Sequence, residues 1–232
     1  MFFGYFWGDW SLLVVLPALI FTLWAQSAVQ SAYRQYSQVR NAHGMTGADA
    51  ARRILDANGL RHIAIECIPG QMTDHYDPRA GIIRLSEGVY NNASVAAVGI
   101  AAHEAGHAVQ HATDYGALKI RNAIIPVCRF GSMAAMPLFI IGLFFASDML
   151  MTVGILAYAA VTLFQLITLP VEFNASRRAM VAIQHGDILT KEEQVGARKT
   201  LRAAAMTYVA ATAVALAQLV RLLLIFGRRR RD

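Results

Sequence analysis

Four stretches without a single Asp, Glu, Lys or Arg constrain this chain more than any other feature: residues 10–33, 130–147, 149–171 and 203–220. At about 1.5 Å of rise per residue, a helix of each length comes close to or exceeds the roughly 30 Å of a bilayer's hydrocarbon core. Lipid offers no partners for backbone N–H and C=O groups, so a spanning segment of this kind has to be helical. Only Asp148 separates the second stretch from the third, which predicts a tight helical hairpin. The 232 residues are 56% hydrophobic and 16% charged, against about 25% charge in an ordinary soluble domain. The pattern predicts a polytopic α-helical membrane protein with the lipid bilayer as a partner.

The net charge is +6. The bases are spread along the chain, and the one dense run, Arg228 to Arg231, abuts the last uncharged stretch. Such a cluster reads as a topology anchor or a contact with anionic lipid, and no nucleic-acid partner is expected. The aromatic residues Phe2, Phe3, Tyr5, Phe6, Trp7 and Trp10 suit an interfacial belt. A cleaved signal peptide is disfavoured because no basic residue precedes the first span, so an uncleaved anchor is expected. Cys67 and Cys128 lack the neighbours of a redox pair and read as structural.

Between the first and second stretches the periodicities change. Thr46 caps a helix from about Gly47 to Ala57, Asp49 completes a capping-box pair, and Asn58-Gly59 ends it. Residues 62–68 alternate as a strand and stop at Pro69-Gly70. Residues 74–81 read as a turn, and Ile82-Ile83-Arg84-Leu85 as a second strand. An edge strand there could hold an extended peptide by main-chain pairing, a hint toward protein or peptide substrates. Residues 114–121 form a polar return toward the membrane, and a charged segment, 187–202, opens a helix after Thr190.

The chemistry is concentrated in His103-Glu104-Ala105-Gly106-His107, on an apolar helix that Ser94 or Asn92 can cap. Four residues apart on a helix, the two imidazoles share a face about 6 Å apart and can reach one zinc ion. Glu104, one step round, is placed to act as general base on a water held there. A catalytic zinc needs a third protein ligand and one open position. His111 lies about 12 Å along the axis from His103, too far to share that ion, and reads as a surface or supporting residue. Glu172 is the stronger candidate, because a carboxylate at the foot of a span is costly without a partner. The alternative pairs it with Arg177 or Arg178. Arg178, Arg177, His185 and His75 could each donate to an oxyanion, and the sequence does not choose among them. His75 also reads as a turn residue and His185, before Gly186, as a helix C-terminal histidine.

The zinc motif followed, after a hairpin, by Leu169-Pro170-Val171-Glu172-Phe173-Asn174-Ala175-Ser176-Arg177-Arg178-Ala179 resembles the bacterial YugP-type neutral zinc metallopeptidases. The segments Tyr36-Ser37-Gln38-Val39-Arg40, Thr46 to Leu55 and Asp74-His75-Tyr76-Asp77-Pro78-Arg79 share in the resemblance, which covers nearly the whole chain. These enzymes are distantly similar to the membrane gluzincins of the HtpX and CAAX-protease type. The resemblance implies one zinc ion on His103, His107 and Glu172, with Glu104 as base. The HtpX-type pattern carries an acidic residue four after its glutamate, where this chain has Ser176.

The expected architecture is mainly α: a multi-pass membrane protein carrying a small α+β gluzincin-like zinc peptidase domain. Its segments are 1–33 with the first transmembrane helix, 34–121 with the zinc helix, the hairpin 122–171, the third-ligand and charged segment 172–202, and 203–232 with the last span and basic tail. The expected activity is membrane-bound zinc metalloendopeptidase, acting on membrane or membrane-associated proteins. The rival is a non-enzymatic scaffold or transporter component with a closed, four-ligand structural metal site. An even number of crossings separates His103 from Glu172, so both lie on one side. That side holds Arg34, Arg40, Lys119, Arg121, Arg177, Arg178, Arg198, Lys199 and Arg202, which favours the cytoplasmic face of a bacterial inner membrane. The Arg228–Arg231 run argues the other way unless the last segment crosses only in part.

Overall fold

The computed structural model describes residues 10–229; the aromatic residues Phe2 to Trp7 and the terminal Arg230 and Arg231 lie outside it. Its elements are α1 (Leu12–Tyr36), α2 (Gly47–Ala57), β1 (Ala64–Ile68), β2 (His75–Asp77), β3 (Ile82–Ser86), α3 (Glu87–Tyr90), α4 (Val95–Ala112), α5 (Gly116–Phe144), α6 (Asp148–His185) and α7 (Lys191–Arg229). The protein is mainly helical with one small sheet. Among the described residues four helices, α1, α5, α6 and α7, are long and apolar enough to cross a membrane.

The chain divides into two compact units. In its described part, one unit comprises residues 10–25, 120–169 and 207–229. Phe139, Met151, Ile155 and Leu222 form a buried cluster within it. Gly142 and Gly154 let the hairpin helices close: a Cβ on Gly154 would stand 2.8 Å from the Ala135 carbonyl oxygen. Small residues at helix crossings are the usual means of bringing backbones together where no hydrophobic gain separates protein from lipid. The outer surface is apolar, with Phe130 77% and Met149 79% exposed. The hairpin turns at residues 145–147, and Arg229 reaches it, with Nη1 3.4 Å from the Gly142 carbonyl oxygen and Nε 3.9 Å from Asp148 Oδ1. The Arg228 guanidinium stands 5.5 Å from the centre of the Trp10 ring. The far end of α7, the near end of the first span and the hairpin turn therefore gather together in this unit.

The second unit comprises residues 26–119 and 170–206. Its core is built from Ile54 and Leu55 of α2, Ile83 and Leu85 of β3, Val95, Val98, Ala101 and Ala105 of α4, and Ile183, Ile188, Leu189 and Leu201. The capping box expected of α2 is present: Thr46 Oγ1 accepts from Asp49 N and the Asp49 carboxylate accepts from Thr46 N. The sheet has the order β1-β3-β2, with β1 parallel and β2 antiparallel to β3.

Three details differ from the sequence reading. Residues 75–77 form edge strand β2 rather than turn, because Tyr76 pairs with Ile83 and Asp77 Oδ2 accepts from Arg84 Nη1 at 2.9 Å. The turn itself is shorter, held by Asp77 Oδ1 accepting from the Arg79 and Ala80 amides. The polar return is already helical from Gly116. Finally, α6 runs unbroken through Pro170 and α7 continues the charged segment into the last apolar stretch. A proline inside a helix removes one backbone hydrogen bond, and α6 tolerates that loss.

Candidate metal centre

The centre forms where α4 and α6 cross. Ser94 caps α4, its Oγ accepting from Ala97 N at 3.2 Å. Ala101, Ala102, Ala105 and Ala108 bury one side of the helix. Gly106 faces α6 so closely that a Cβ would stand 2.7 Å from the Ala175 carbonyl oxygen. Glycine is required at this contact, and it lets the histidines of α4 and Glu172 of α6 meet.

His103 Nε2 lies 3.3 Å and His107 Nε2 3.5 Å from the same Glu172 oxygen, Oε2. The two rings stand edge to face with centroids 4.7 Å apart. Zinc-to-nitrogen and zinc-to-oxygen bonds of about 2.0–2.2 Å in a tetrahedron separate neighbouring donor atoms by roughly 3.3–3.6 Å. The observed separations fall in that range, and two imidazole nitrogens with one carboxylate oxygen form a suitable donor set. Among the described residues these three side chains are the cluster that could hold a metal ion.

The electrostatics agree with the geometry. Burial alone would raise the Glu172 pKa, but hydrogen bonds from both histidines and their charge outweigh it and hold the carboxyl far below the usual carboxylate range. Burial alone would lower the His107 pKa. The bond to Glu172, the charges of Glu104 and Glu172, and the bond to Gln110 reverse that and raise it. Without a metal, Glu172 and His107 thus favour a carboxylate–imidazolium pair. Glu104 is itself buried, 8% exposed.

The family described as "putative neutral zinc metallopeptidase" matches residues 11–227. The "Putative membrane protease YugP" of Bacillus subtilis (strain 168) is 46% identical over 215 residues, which is 93% of this chain and 96% of that protein. The chain belongs to this zinc metallopeptidase family. Its four membrane-length helices agree with a multi-pass membrane protein, and the family's metal agrees with the donor set on α4 and α6. No solved structure matches the chain.

The remaining residues singled out from sequence occupy different surroundings. His111 lies one turn beyond His107, and its Nδ1 is 2.9 Å from the Tyr76 hydroxyl of β2. His75 begins β2, with Nδ1 2.8 Å from the Thr73 carbonyl oxygen. Arg178 Nε donates to Asn174 Oδ1 at 2.8 Å. With Arg177 and His185, which does end its helix, Arg178 lines a groove of about 450 Å³ between α2, α4 and α6. Gly106 and Val109 supply the α4 side of that groove, about 200° and 140° round the helix from Glu104 at 100° per residue. None of His103, Glu104, His107 and Glu172 lines it.

Of three residues around the histidines, Ser176 was marked in the sequence only as standing where the HtpX-type pattern has an acid, and Gln110 and Asn174 were given no role. Gln110 Oε1 lies 2.9 Å from His107 Nδ1, and Ser176 Oγ lies 3.2 Å from His103 Nδ1. Asn174 Oδ1 accepts from Gln110 Nε2 at 3.0 Å. A signal for Gln110 was available: it stands three residues after His107 and seven after His103, the spacing of one helix face.

Proposed function

We propose that the protein is a membrane-embedded zinc metalloendopeptidase in which His103, His107 and Glu172 hold one zinc ion and Glu104 is the general base. The observation that carries this reading is the convergence of both Nε2 atoms on Glu172 Oε2 at 3.3 and 3.5 Å. Bound there, zinc would supply Lewis acidity to the scissile carbonyl and make a water acidic enough to attack at neutral pH. Glu104, on the same helix one residue from His103, takes a proton from the attacking water and passes it to the departing amine. Tyr76 and His111 are a hydrogen-bonded pair one helical turn from His107. Three ligands leave a tetrahedral ion one open position, as catalysis requires and a closed structural site does not.

The substrates proposed are membrane or membrane-associated proteins, since Glu172 follows the apolar stretch 149–171 without a linker. The catalytic side is the cytoplasmic one, supported by the nine Lys and Arg residues that flank the spans there. This makes the enzyme a gluzincin of the plan shared with HtpX-type proteases.

Replacing Glu104 with Gln tests the mechanism. The variant should keep stoichiometric zinc and lose cleavage of a membrane-anchored substrate by at least about 100-fold, the lower end of general-base contributions. Loss of zinc together with activity would assign Glu104 to the metal instead, and an unchanged rate would remove it from the chemistry.

A further inference from the structure

We infer that Gln110 sets the tautomer of His107, keeping the proton on Nδ1 so that Nε2 is the nitrogen offered to the metal. The inference rests on the zinc reading above, but it follows from a different set of contacts. Gln110 is fully buried, at 0% exposure, and an amide in that position has to place its acceptor and donor ends correctly or leave them unsatisfied. Its Nε2 lies 2.8 Å from the Val171 carbonyl oxygen. A backbone carbonyl only accepts, so the NH₂ end of Gln110 faces α6. Its second proton goes to Asn174 Oδ1 at 3.0 Å.

The orientation of Asn174 is fixed in turn. Arg178 Nε donates to the same Oδ1 at 2.8 Å, and a guanidinium has donors only. Arg178 thus keeps the oxygen of Asn174, rather than its NH₂, turned toward Gln110. With both amide protons committed, Gln110 can present only Oε1 to His107 Nδ1, 2.9 Å away. An acceptor there requires Nδ1 to carry the proton, which leaves Nε2 aimed at Glu172 Oε2. A metal-bound histidine usually has its other nitrogen held by a carboxylate, carbonyl or water. Here a neutral amide takes that place, and its polarity is enforced from two sides by groups that cannot reverse.

His103 is held differently. Its Nδ1 faces Ser176 Oγ at 3.2 Å, and a hydroxyl can either donate or accept. Ser176 therefore imposes no tautomer, and the two ligands are asymmetric. Gln110, Asn174 and Arg178 are positioning residues. They act on the metal through His107 and place no atom on the substrate.

The test uses the full-length protein in detergent or nanodiscs, with two readouts. The first is zinc affinity by competition with a chromophoric chelator. The second is nuclear magnetic resonance of ¹⁵N-histidine-labelled, zinc-loaded protein, which reports each Nδ1 proton. Gln110→Met keeps the volume and removes the hydrogen bonds. It should weaken zinc binding about 10- to 100-fold and let the His107 Nδ1 proton exchange with water, while the His103 signals stay in place. Asn174→Leu, which leaves Val171 to orient Gln110 alone, should lose less affinity and serves if the Met variant does not fold. Asn174→Asp still accepts from both Gln110 and Arg178 and should bind zinc within about threefold of wild type, well inside the cost of losing such a support. Unchanged affinity and an unchanged His107 signal in the Met and Leu variants would overturn the inference. If wild type itself takes up no zinc, the proposed function fails instead.

Discussion

At the residue scale, the centre is a set of opposed preferences that a metal would resolve. His107 has a raised pKa and Glu172 a depressed one, so the pair favours holding a proton that a metal bound under the proposed function would displace. Because the His107 value is raised above the ordinary 6.5, this proton is bound below that raised value and lost as the pH rises through it. Zinc affinity should therefore fall by about tenfold per pH unit on the acid side and level off on the alkaline side. Titration with a metal buffer at several pH values measures this; a flat profile between pH 5 and 8 would contradict it. That His103 and His107 share one helix face was legible in the sequence because their spacing is a direct consequence of helix geometry. The support around them was less so. Gln110 shares the histidine face and could have been marked, but its acceptor role depends on Val171, Asn174 and Arg178, some sixty residues away.

At the element scale, the crossing of α4 and α6 is what brings residue 103 to residue 172. Gly106 permits it, since any Cβ would meet backbone rather than a movable side chain. Gly106→Ala gains helix propensity, about 1 kcal/mol, yet forces the helices apart, at a cost of about 1–3 kcal/mol typical of overpacking. The expected outcome is a lowered thermal midpoint with weaker zinc binding; a stabilised variant with unchanged affinity would show that the crossing has slack. The α2 capping box gives a second, independent prediction. Thr46→Ala should cost about 1 kcal/mol and lower the thermal midpoint of the second unit without changing zinc affinity. The capping box, the zinc helix and β3 were readable from local chemistry. Strand β2 was not, since three residues within a turn-rich run become a strand only when Tyr76 finds Ile83 across the sheet. The hairpin's last helix likewise continues past residue 171, with Pro170 inside it and Glu172 two residues further on.

For the whole molecule, the uncharged stretches determined most of the architecture in advance. Each of the four overlaps a membrane-length helix over most of its length, and the tight hairpin before Asp148 is present. The expectation left open was the last segment, whose arginine run argued for the opposite face unless that segment crosses only in part. Arg229 beside Asp148 and Arg228 over Trp10 instead place the end of α7 with the hairpin turn. With a cytoplasmic catalytic side, four crossings then put the C-terminus outside, against the usual bias of Lys and Arg. A C-terminal reporter that is active only outside the cytoplasm should be active when fused after residue 232; activity of a cytoplasm-only reporter at that position would reverse the assigned face. The most direct measurement is the structure of the zinc-loaded protein with anomalous scattering at the zinc edge. The account predicts one zinc ion about 2.0–2.2 Å from His103 Nε2, His107 Nε2 and a Glu172 oxygen, with no fourth side chain bound. Zinc elsewhere, or a fourth ligand supplied by the protein, would contradict it.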